Sequence, residues 1–520
     1  MNNLGDLIGG GGGEPDRVAL VDLGLADLAG ARPAFPALRQ FTYAELDRMA
    51  AAVAGKLATL GHARGDRIAL LGANSGEYLV AYAGIVRAGL VAVPINFKLP
   101  AAAISRIIED SGSRLVFCDA ARAPALPAGQ ARVILDSTEP ELGFAAFLDF
   151  TPAPSVEPHD GELAMFLYTS GSSGHPKGVM LSHAAHLWVA RTRAAAGNFA
   201  DQRLLVAAPL YHMNALGVTL FAFAAGATIV LMPQFQAAAY IEAIERCRCT
   251  FLTSVPSMIA MMLRETPQVA EADLSSVRAI RMGSAPVSRA LMAQVRQHFP
   301  SAAITNAYAT TEAGPIVFGP HPQGLATPEL SLGCRHPGVE LKLVAGSGAM
   351  RGQSLDGAAE GVLHIRSPAL MTGYHALPEA TRRAFDADGF YITGDILRRD
   401  ADGFYYFVGR GDDMFVSGGE NIFPGEIERM LERHGAIEQA VVLGVPDDVK
   451  GTKPVAFVVT RSGYRLAEED VKAHALANGP AYAHPRRVWL LDKLPLAGTN
   501  KIDRQQLYQL ATADIARRPL

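Results

Sequence analysis

The chain has 520 residues, with 47 Lys plus Arg against 51 Asp plus Glu and a net charge of −4, which excludes the basic stripe that a nucleic-acid surface needs. Hydrophobic residues make up 49% and charged residues 19%, which excludes a disordered chain. The four cysteines, Cys118, Cys247, Cys249 and Cys334, fit neither a disulfide scaffold nor a four-ligand zinc site and predict a reducing, cytoplasmic setting. Met1–Asp6 shows no basic and apolar leader. Gly9–Gly13 predicts a flexible turn. Thr42 and Glu45 are spaced as a capping box that opens a helix running to Leu60. Strand Arg67–Leu71, helix Tyr78–Ala88, strand Leu90–Pro94 and strand Leu115–Cys118 follow.

The same rhythm returns with strands Leu204–Ala208, Phe251–Ser254 and Ala279–Met282, each leading into a helix. Strands alternating with helices predict parallel sheets with crossover connections, here two α/β sheets packed together. No Asp, Glu, Lys or Arg occurs between Arg203 and Glu242, which raises a transmembrane question. Pro209, His212, Gly217, Gly226 and Pro233 interrupt the stretch, so it predicts a buried helix near Ala215–Ala224 and a strand Ala227–Met232. From about Leu332 the texture changes to short strands: Val339–Val344, Gly361–Ile365, Phe390–Ile392 and Phe404–Val408. Asp388-Gly389 and Asp402-Gly403 mark turns between them. Asp400-Ala-Asp402-Gly403 lacks the Glu that a calcium loop requires and is read as a turn. Gly409–Asp413 predicts a boundary, with a compact tail to Leu520.

The most informative segment is Tyr168-Thr-Ser-Gly-Ser-Ser-Gly-His-Pro-Lys-Gly178, preceded by the apolar strand Leu163–Leu167. Glycines let backbone N–H groups close on an anion, and Lys177 supplies a point charge for phosphate. It is not a Walker loop, because Pro176 and Gly178 stand where that motif needs Gly and Ser or Thr. The segment resembles the signature loop of the adenylate-forming superfamily: acyl-CoA synthetases, peptide-synthetase adenylation domains and luciferases. Further motifs fall in the family's order: Gly283-Ser-Ala-Pro286, Asn306-Ala-Tyr-Ala-Thr-Thr-Glu312, Tyr391-Ile-Thr-Gly-Asp395, Gly409-Arg-Gly-Asp412, Ser417-Gly-Gly-Glu-Asn-Ile-Phe-Pro-Gly-Glu426 and Pro495–Arg504.

The resemblance implies an α/β fold. Its large adenylation domain, residues 1–408, holds two packed sheets and a small β-barrel-like subdomain at about 332–408. A hinge at 409–413 joins it to a small mobile α+β lid, 414–520. The ATP/AMP site implied is Thr169, Ser170, Gly171, Ser172, Ser173, Gly174, Lys177, Ser284, Ala285, Pro286, Asn306, Ala307, Tyr308, Thr311, Asp395 and Arg410. Asn306 would meet the adenine amino group, Tyr308 would stack on the base, and Asp395 would take the ribose hydroxyls. Glu312 would hold Mg²⁺. Lys501 would bridge carboxylate and α-phosphate, and Asp412 would be the pivot. Gly418 and Gly419 would wall the coenzyme A tunnel. His212, Met213, Gly283 and Ala309 would form the acyl pocket.

The reaction implied consumes ATP with Mg²⁺, forms an acyl-adenylate from a small carboxylic acid, and passes the acyl group to coenzyme A. Without an acid between Asp201 and Glu242, a substrate ammonium would be buried unpaired. An acid with an uncharged tail is therefore expected. The run Thr311-Glu-Ala-Gly-Pro315 resembles hydroxycinnamate-CoA ligases and favours an aromatic or phenylpropenoic acid. The alternatives are a medium- or long-chain fatty acid–CoA ligase, an acyl-AMP ligase that loads a carrier protein, and a non-catalytic nucleotide-binding regulator. The expected partners are small molecules, with no nucleic acid and no integral membrane association. Oligomeric state is left open, a homodimer included. Cys247 and Cys249 are read as ordinary thiols, and Trp188 and Trp489 as packing residues.

Overall fold

The computed structural model describes residues 2–9, 14–29, 32–151, 153–170, 176–346, 352–411, 413–417, 420–447, 451–498 and 501–518. Two seven-stranded sheets form its body. One runs, edge to edge, through Ala303–Ala307, Ala279–Gly283, Phe251–Ser254, Arg203–Val206, Thr228–Leu231, Val18–Asp22 and Arg39–Thr42. Every pair in it is parallel except the last. The other runs through Gly373–Tyr374, Pro176–Ser182, Leu163–Ser170, Val91–Pro94, Arg67–Leu71, Leu115–Cys118 and Arg132–Ile134.

The strands read as continuous apolar runs because helices cover both faces. One buried cluster joins the two sheets, including Leu20, Leu70, Leu167, Leu205, Ile229 and Met282. The helix Tyr43–Thr59 begins as expected: the Thr42 side chain accepts from the Glu45 N–H, and the Glu45 carboxylate accepts from the Thr42 N–H. The apolar stretch after Arg203 folds into the buried helix Met213–Ala224 and the buried strand Thr228–Leu231. Among the described residues no helix is long and apolar enough to cross a membrane.

The β-rich part is a five-stranded antiparallel sheet, ordered Ser354–Leu355, Glu340–Val344, Ala359–Arg366, Tyr391–Arg399 and Tyr405–Arg410. Leu343, Leu363, Leu397 and Tyr405 join the large core. The turn at Asp400 forms as expected: its carboxylate accepts from the N–H groups of Asp402 and Phe404, and Gly403 sits at φ +87°. The C-terminal lobe has its own cores around a three-stranded sheet, Ile437–Asp447, Gly451–Thr460 and Val488–Leu491. Trp489 stacks on Phe457 there, with ring centroids 4.7 Å apart, and its indole N–H donates to Asp514. The four cysteines are free and buried, and burial raises the Cys247 and Cys249 thiols above their usual range.

Site-bearing elements are strands β1 (Leu163–Ser170) and β2 (Pro176–Ser182), helices α1 (His183–Ala194) and α2 (Met213–Ala224), strands β3 (Phe251–Ser254), β4 (Ala279–Gly283) and β5 (Ala303–Ala307), and strands β6 (Tyr391–Arg399) and β7 (Tyr405–Arg410).

Candidate active site

β1 and β2 pair antiparallel, with Thr169 opposite Lys177 and Ser170 opposite Pro176. The two strands thus form a hairpin, and Lys177 lies on a hydrogen-bonded strand of it. Gly178 lets that strand pass the Tyr168 ring: a Cβ there would lie 3.0 Å from its Cζ. Gly171, Ser172, Ser173 and Gly174 lie outside the described residues, as do Asp412, Gly418 and Gly419.

Lys177 Nζ stands 5.1 Å from the centre of the Tyr374 ring. The Tyr374 hydroxyl donates to Glu312 Oε1 at 3.1 Å. Tyr391, at the start of β6, bonds Tyr374 and feels the charges of both Glu312 and Asp395; with burial, these raise its phenol well above the usual range. On the far side of Tyr391, the buried Asp395 accepts a hydrogen bond from Tyr308 and lies 3.6 Å from Arg410. The β6–β7 register sets Asp395 opposite Arg410. Tyr391 thus lies within electrostatic reach of both the Glu312 and the Asp395 carboxylates.

β4 and β5 end side by side, with Met282 opposite Asn306 and Gly283 opposite Ala307. Ser284 leaves β4 at φ +68°, a left-handed conformation that costs a non-glycine residue about 1–2 kcal/mol. This sharp turn carries Ser284, Ala285 and Pro286 past the end of the sheet. Asn306 Nδ2 donates to the Leu330 carbonyl at 2.8 Å. Tyr308 begins the loop after β5, and burial together with Asp395 raises its phenol far above the ordinary value. Thr311, Glu312 and Ala309 follow on a turn in which the Thr310 hydroxyl accepts from the Ala313 N–H.

The C-terminal lobe delivers the remaining group. The Tyr211 hydroxyl donates to the Gly498 carbonyl at 3.3 Å, and a Cβ on Gly498 would touch Lys98 at 3.0 Å. The Ala497 N–H and the Lys501 carbonyl close this loop at 2.7 Å. Lys501 is solvent-exposed as a residue, yet crowding lowers its ammonium pKa; Arg410 adds to the effect and Asp395 opposes it. His212, the N-cap position of α2, has an Nε2 that is buried without a partner. Burial, followed by the charges of Lys501 and Lys98, brings its pKa down to about 3, so the imidazole is neutral. Met213 is buried in the first turn of α2.

Sequence reasoning missed Lys98, Tyr211, Tyr374 and Tyr391 as cleft residues. Tyr391 stood inside a quoted motif, and Tyr211 directly precedes His212, beside residues that drew the attention. Lys98 and Tyr374 carried no local pattern, and only the fold brings them in.

Glu312 suits a magnesium ion. Its carboxylate, held by the Tyr374 hydroxyl, would be a protein ligand of the hard-oxygen kind Mg²⁺ takes, with substrate phosphate supplying the rest.

A two-lobed α/β molecule with basic, acidic and aromatic groups from both lobes in one cleft has the build of an adenylate-forming enzyme. The family of AMP-binding enzymes matches residues 12–375, and the AMP-binding enzyme C-terminal domain matches residues 426–501. The chain belongs to the AMP-binding enzyme family, and its class is AMP-forming acyl-CoA synthetase. It is similar to the feruloyl-CoA synthase of an Amycolatopsis species, with 34% identity over 463 residues covering 89% of this chain and 92% of that protein. It is 32% identical to the fatty acid–[acyl-carrier-protein] ligase ScoC of Streptomyces coeruleorubidus, covering 92% of this chain and 93% of that one. Among solved structures, the anthranilate CoA ligase AuaEII in complex with anthranoyl-AMP superposes with a TM-score of 0.86 at 26% identity, over 98% of both chains.

Proposed function

We propose that this protein is an ATP-dependent acid–CoA ligase that activates an aromatic, phenylpropenoic-type acid. The observation that carries the reading is the Tyr211–Gly498 contact, which holds the Lys501 loop against the same cleft as Asp395, Arg410 and His212. A carboxylate and a triphosphate repel each other, so their approach needs fixed positive charge. In this reading Lys177 and the residues Thr169 to Gly174 hold the outer phosphates. Lys501 neutralises the carboxylate oxygen as it attacks the α-phosphorus and pyrophosphate leaves. Mg²⁺ on Glu312 would screen phosphate charge when bound. Asn306, Ala307, Tyr308 and the Ser284–Pro286 turn frame the adenine, Thr311 meets the α-phosphate, and Asp395 with Arg410 takes the ribose. The thiol of coenzyme A then attacks the acyl carbonyl and AMP departs. A swing of the 414–520 lobe about Asp412, within a 409–413 hinge, would exchange Lys501 for Gly418 and Gly419 between the half-reactions.

The aromatic preference draws support from the similarity to a feruloyl-CoA synthase and from the pocket residues. Met213, Gly283 and Ala309 are small or apolar, and His212 is neutral. Four buried free thiols favour a cytoplasmic setting. The similarity to ScoC favours a second reading, in which a fatty acyl group is loaded onto a carrier protein.

ATP–pyrophosphate exchange across phenylpropenoic, benzoic and medium-chain acids, followed by thioester formation with free coenzyme A, tests these readings. Strongest exchange with phenylpropenoic acids and an acyl-CoA product are expected. Strongest exchange with fatty acids overturns the aromatic assignment. Adenylation without acyl-CoA formation overturns the coenzyme A assignment in favour of a carrier.

A further inference from the structure

Two guanidiniums close enough to act on each other, Arg281 and Arg193, have no acid partner among the described residues. Arg281, on β4 two residues before Gly283, is 9% exposed. Its only hydrogen-bond partner among the described residues is Asn214 Oδ1, 3.4 Å from Nη1. Arg193, in the last turn of α1, lies 5.6 Å from the centre of the Phe221 ring with no acid partner among the described residues, and its charge acts on Arg281. Burial, with Arg193 adding to it, drives the Arg281 pKa well below the usual value, and no carboxylate counters it. An isolated buried guanidinium is costly, and proteins ordinarily pair such a group.

The surroundings point the same way. Thr253 on β3 lies opposite Arg281 in register and spends its hydroxyl on Asn214 Oδ1 at 3.3 Å. That carbonyl oxygen is thus used, while Asn214 Nδ2 is buried with no partner. Asn214 directly follows Met213, and Arg281 stands on the same face of its strand as Gly283, so a positive charge and a free N–H donor adjoin two positions assigned to the acyl pocket. Gly217, one turn along α2, leaves room there. A Cβ would find nothing closer than Met213 Sδ at 3.5 Å and Pro315 Cγ at 4.0 Å, so packing does not demand a glycine. A mid-helix glycine costs about 1 kcal/mol relative to alanine, and here it keeps space open.

Resting on the acyl pocket assigned under the proposed function, we propose that the acid carries a second carboxylate at its far end, received by Arg281 and the Asn214 amide N–H. The missing acid between Asp201 and Glu242 argues against a cationic tail. The unbalanced arginine argues for an anionic one, in place of the uncharged tail expected from the sequence alone.

The test uses two matched pairs in ATP–pyrophosphate exchange: cinnamate against its para-carboxy derivative, and octanoate against octanedioate. The wild-type enzyme should favour the dicarboxylic member of the pair it uses by about tenfold to a hundredfold in kcat/KM, the worth of a hydrogen bond to a charged group. Arg281→Met should collapse that ratio and Arg281→Lys should keep part of it. Asn214→Leu should lower it as well, which covers the case of an Arg281 variant that fails to fold. Exchange without a dicarboxylate preference, or a preference that survives both Arg281→Met and Arg281→Lys, overturns the inference and leaves the ligase reading intact. No exchange with any of the four acids overturns both.

Discussion

Lys177 and Lys501 reach the same cleft by different routes. Lys177 is fixed in a ladder, with Thr169 opposite it and its ammonium over the Tyr374 ring. Lys501 rides on a loop of the C-terminal lobe, closed by the Leu496–Ile502 bridge and laid against the body through Gly498. The lobes meet through polar contacts such as Arg264–Glu438, at 2.5 Å, and Arg429 Nη1 donating to the Val408 carbonyl, while the lobe's apolar clusters are its own. Contacts of that kind are individually weak, so the second cation can be brought and withdrawn. Under the proposed mechanism, a permanent phosphate-side charge and a removable carboxylate-side charge would suit a reaction whose second step must admit a thiol where the first needed a lysine.

The sharpest way to break this contrast is Lys501→Ala. It should lower ATP–pyrophosphate exchange by about 10²–10³. Thioester formation from supplied acyl-adenylate should stay near the wild-type rate, because the lysine belongs to the withdrawn position in that step. Equal loss of both activities would make Lys501 a fixed group like Lys177. Next in size is Tyr374→Phe, which removes the hydroxyl that orients Glu312. Loss of such a supporting contact typically weakens a metal site about 10–100-fold, so a Mg²⁺ titration of exchange should move upward by about tenfold. An unmoved Mg²⁺ titration would show that Glu312 needs no help from the fixed end of the cleft.

The fixed half of the cleft was more legible in sequence than the delivered half. Apolar runs between turn residues gave strands such as Arg67–Leu71 and Phe251–Ser254 at their true limits, because a buried parallel strand leaves an unbroken hydrophobic signature. Phe390–Ile392 was too short an expectation: the strand continues to Arg399 through Thr393, Gly394 and Asp395. Those residues read as loop, but pairing with Ala359–Arg366 and Tyr405–Arg410 holds them extended. The strand Pro176–Ser182 was hidden for a similar reason, since its Pro-Lys-Gly start resembles a turn and only the ladder with Leu163–Ser170 straightens it. Motifs supplied Lys177, Glu312, Asp395 and Lys501. The contacts of Tyr374 with Glu312 and Tyr391, and the approach of Lys98 to Gly498, depend on segments far apart in sequence and have no local spacing to betray them.

A smaller effect is expected where the lobes touch. Arg264→Ala breaks the ion pair with Glu438, whose side chains are 39% and 23% exposed. Exposed pairs contribute about 0–1 kcal/mol, so the balance between the two half-reactions should shift by no more than about fivefold. A larger shift, read as the ratio of exchange to thioester rates, would mean that this contact and not the Tyr211–Gly498 seat governs docking.

His212 offers the finest gauge of whether Lys501 has arrived. Its pKa of about 3 arises first from burial, then from Lys501 and Lys98. The folded value lies below the unfolded value of about 6.5, so the neutral ring's contribution to stability is complete above that pH. It is lost as pH falls from about 6.5 toward 3, because protonation would set a third charge beside two lysines. Between pH 5 and 8 the ring stays neutral, and the rate profile should show no limb belonging to it. Removing Lys501 removes one of the three causes and leaves the largest. In Lys501→Met the His212 imidazole, followed by NMR through an acid titration, should protonate at a higher pH than in the wild type while remaining below the ordinary histidine range. The lysine on the fixed hairpin is not among the causes, so Lys177→Met should leave the titration where it was. An imidazole that responds to the Lys177 change and ignores the Lys501 change would reverse the assignment of which cation is delivered to the acyl side of the cleft.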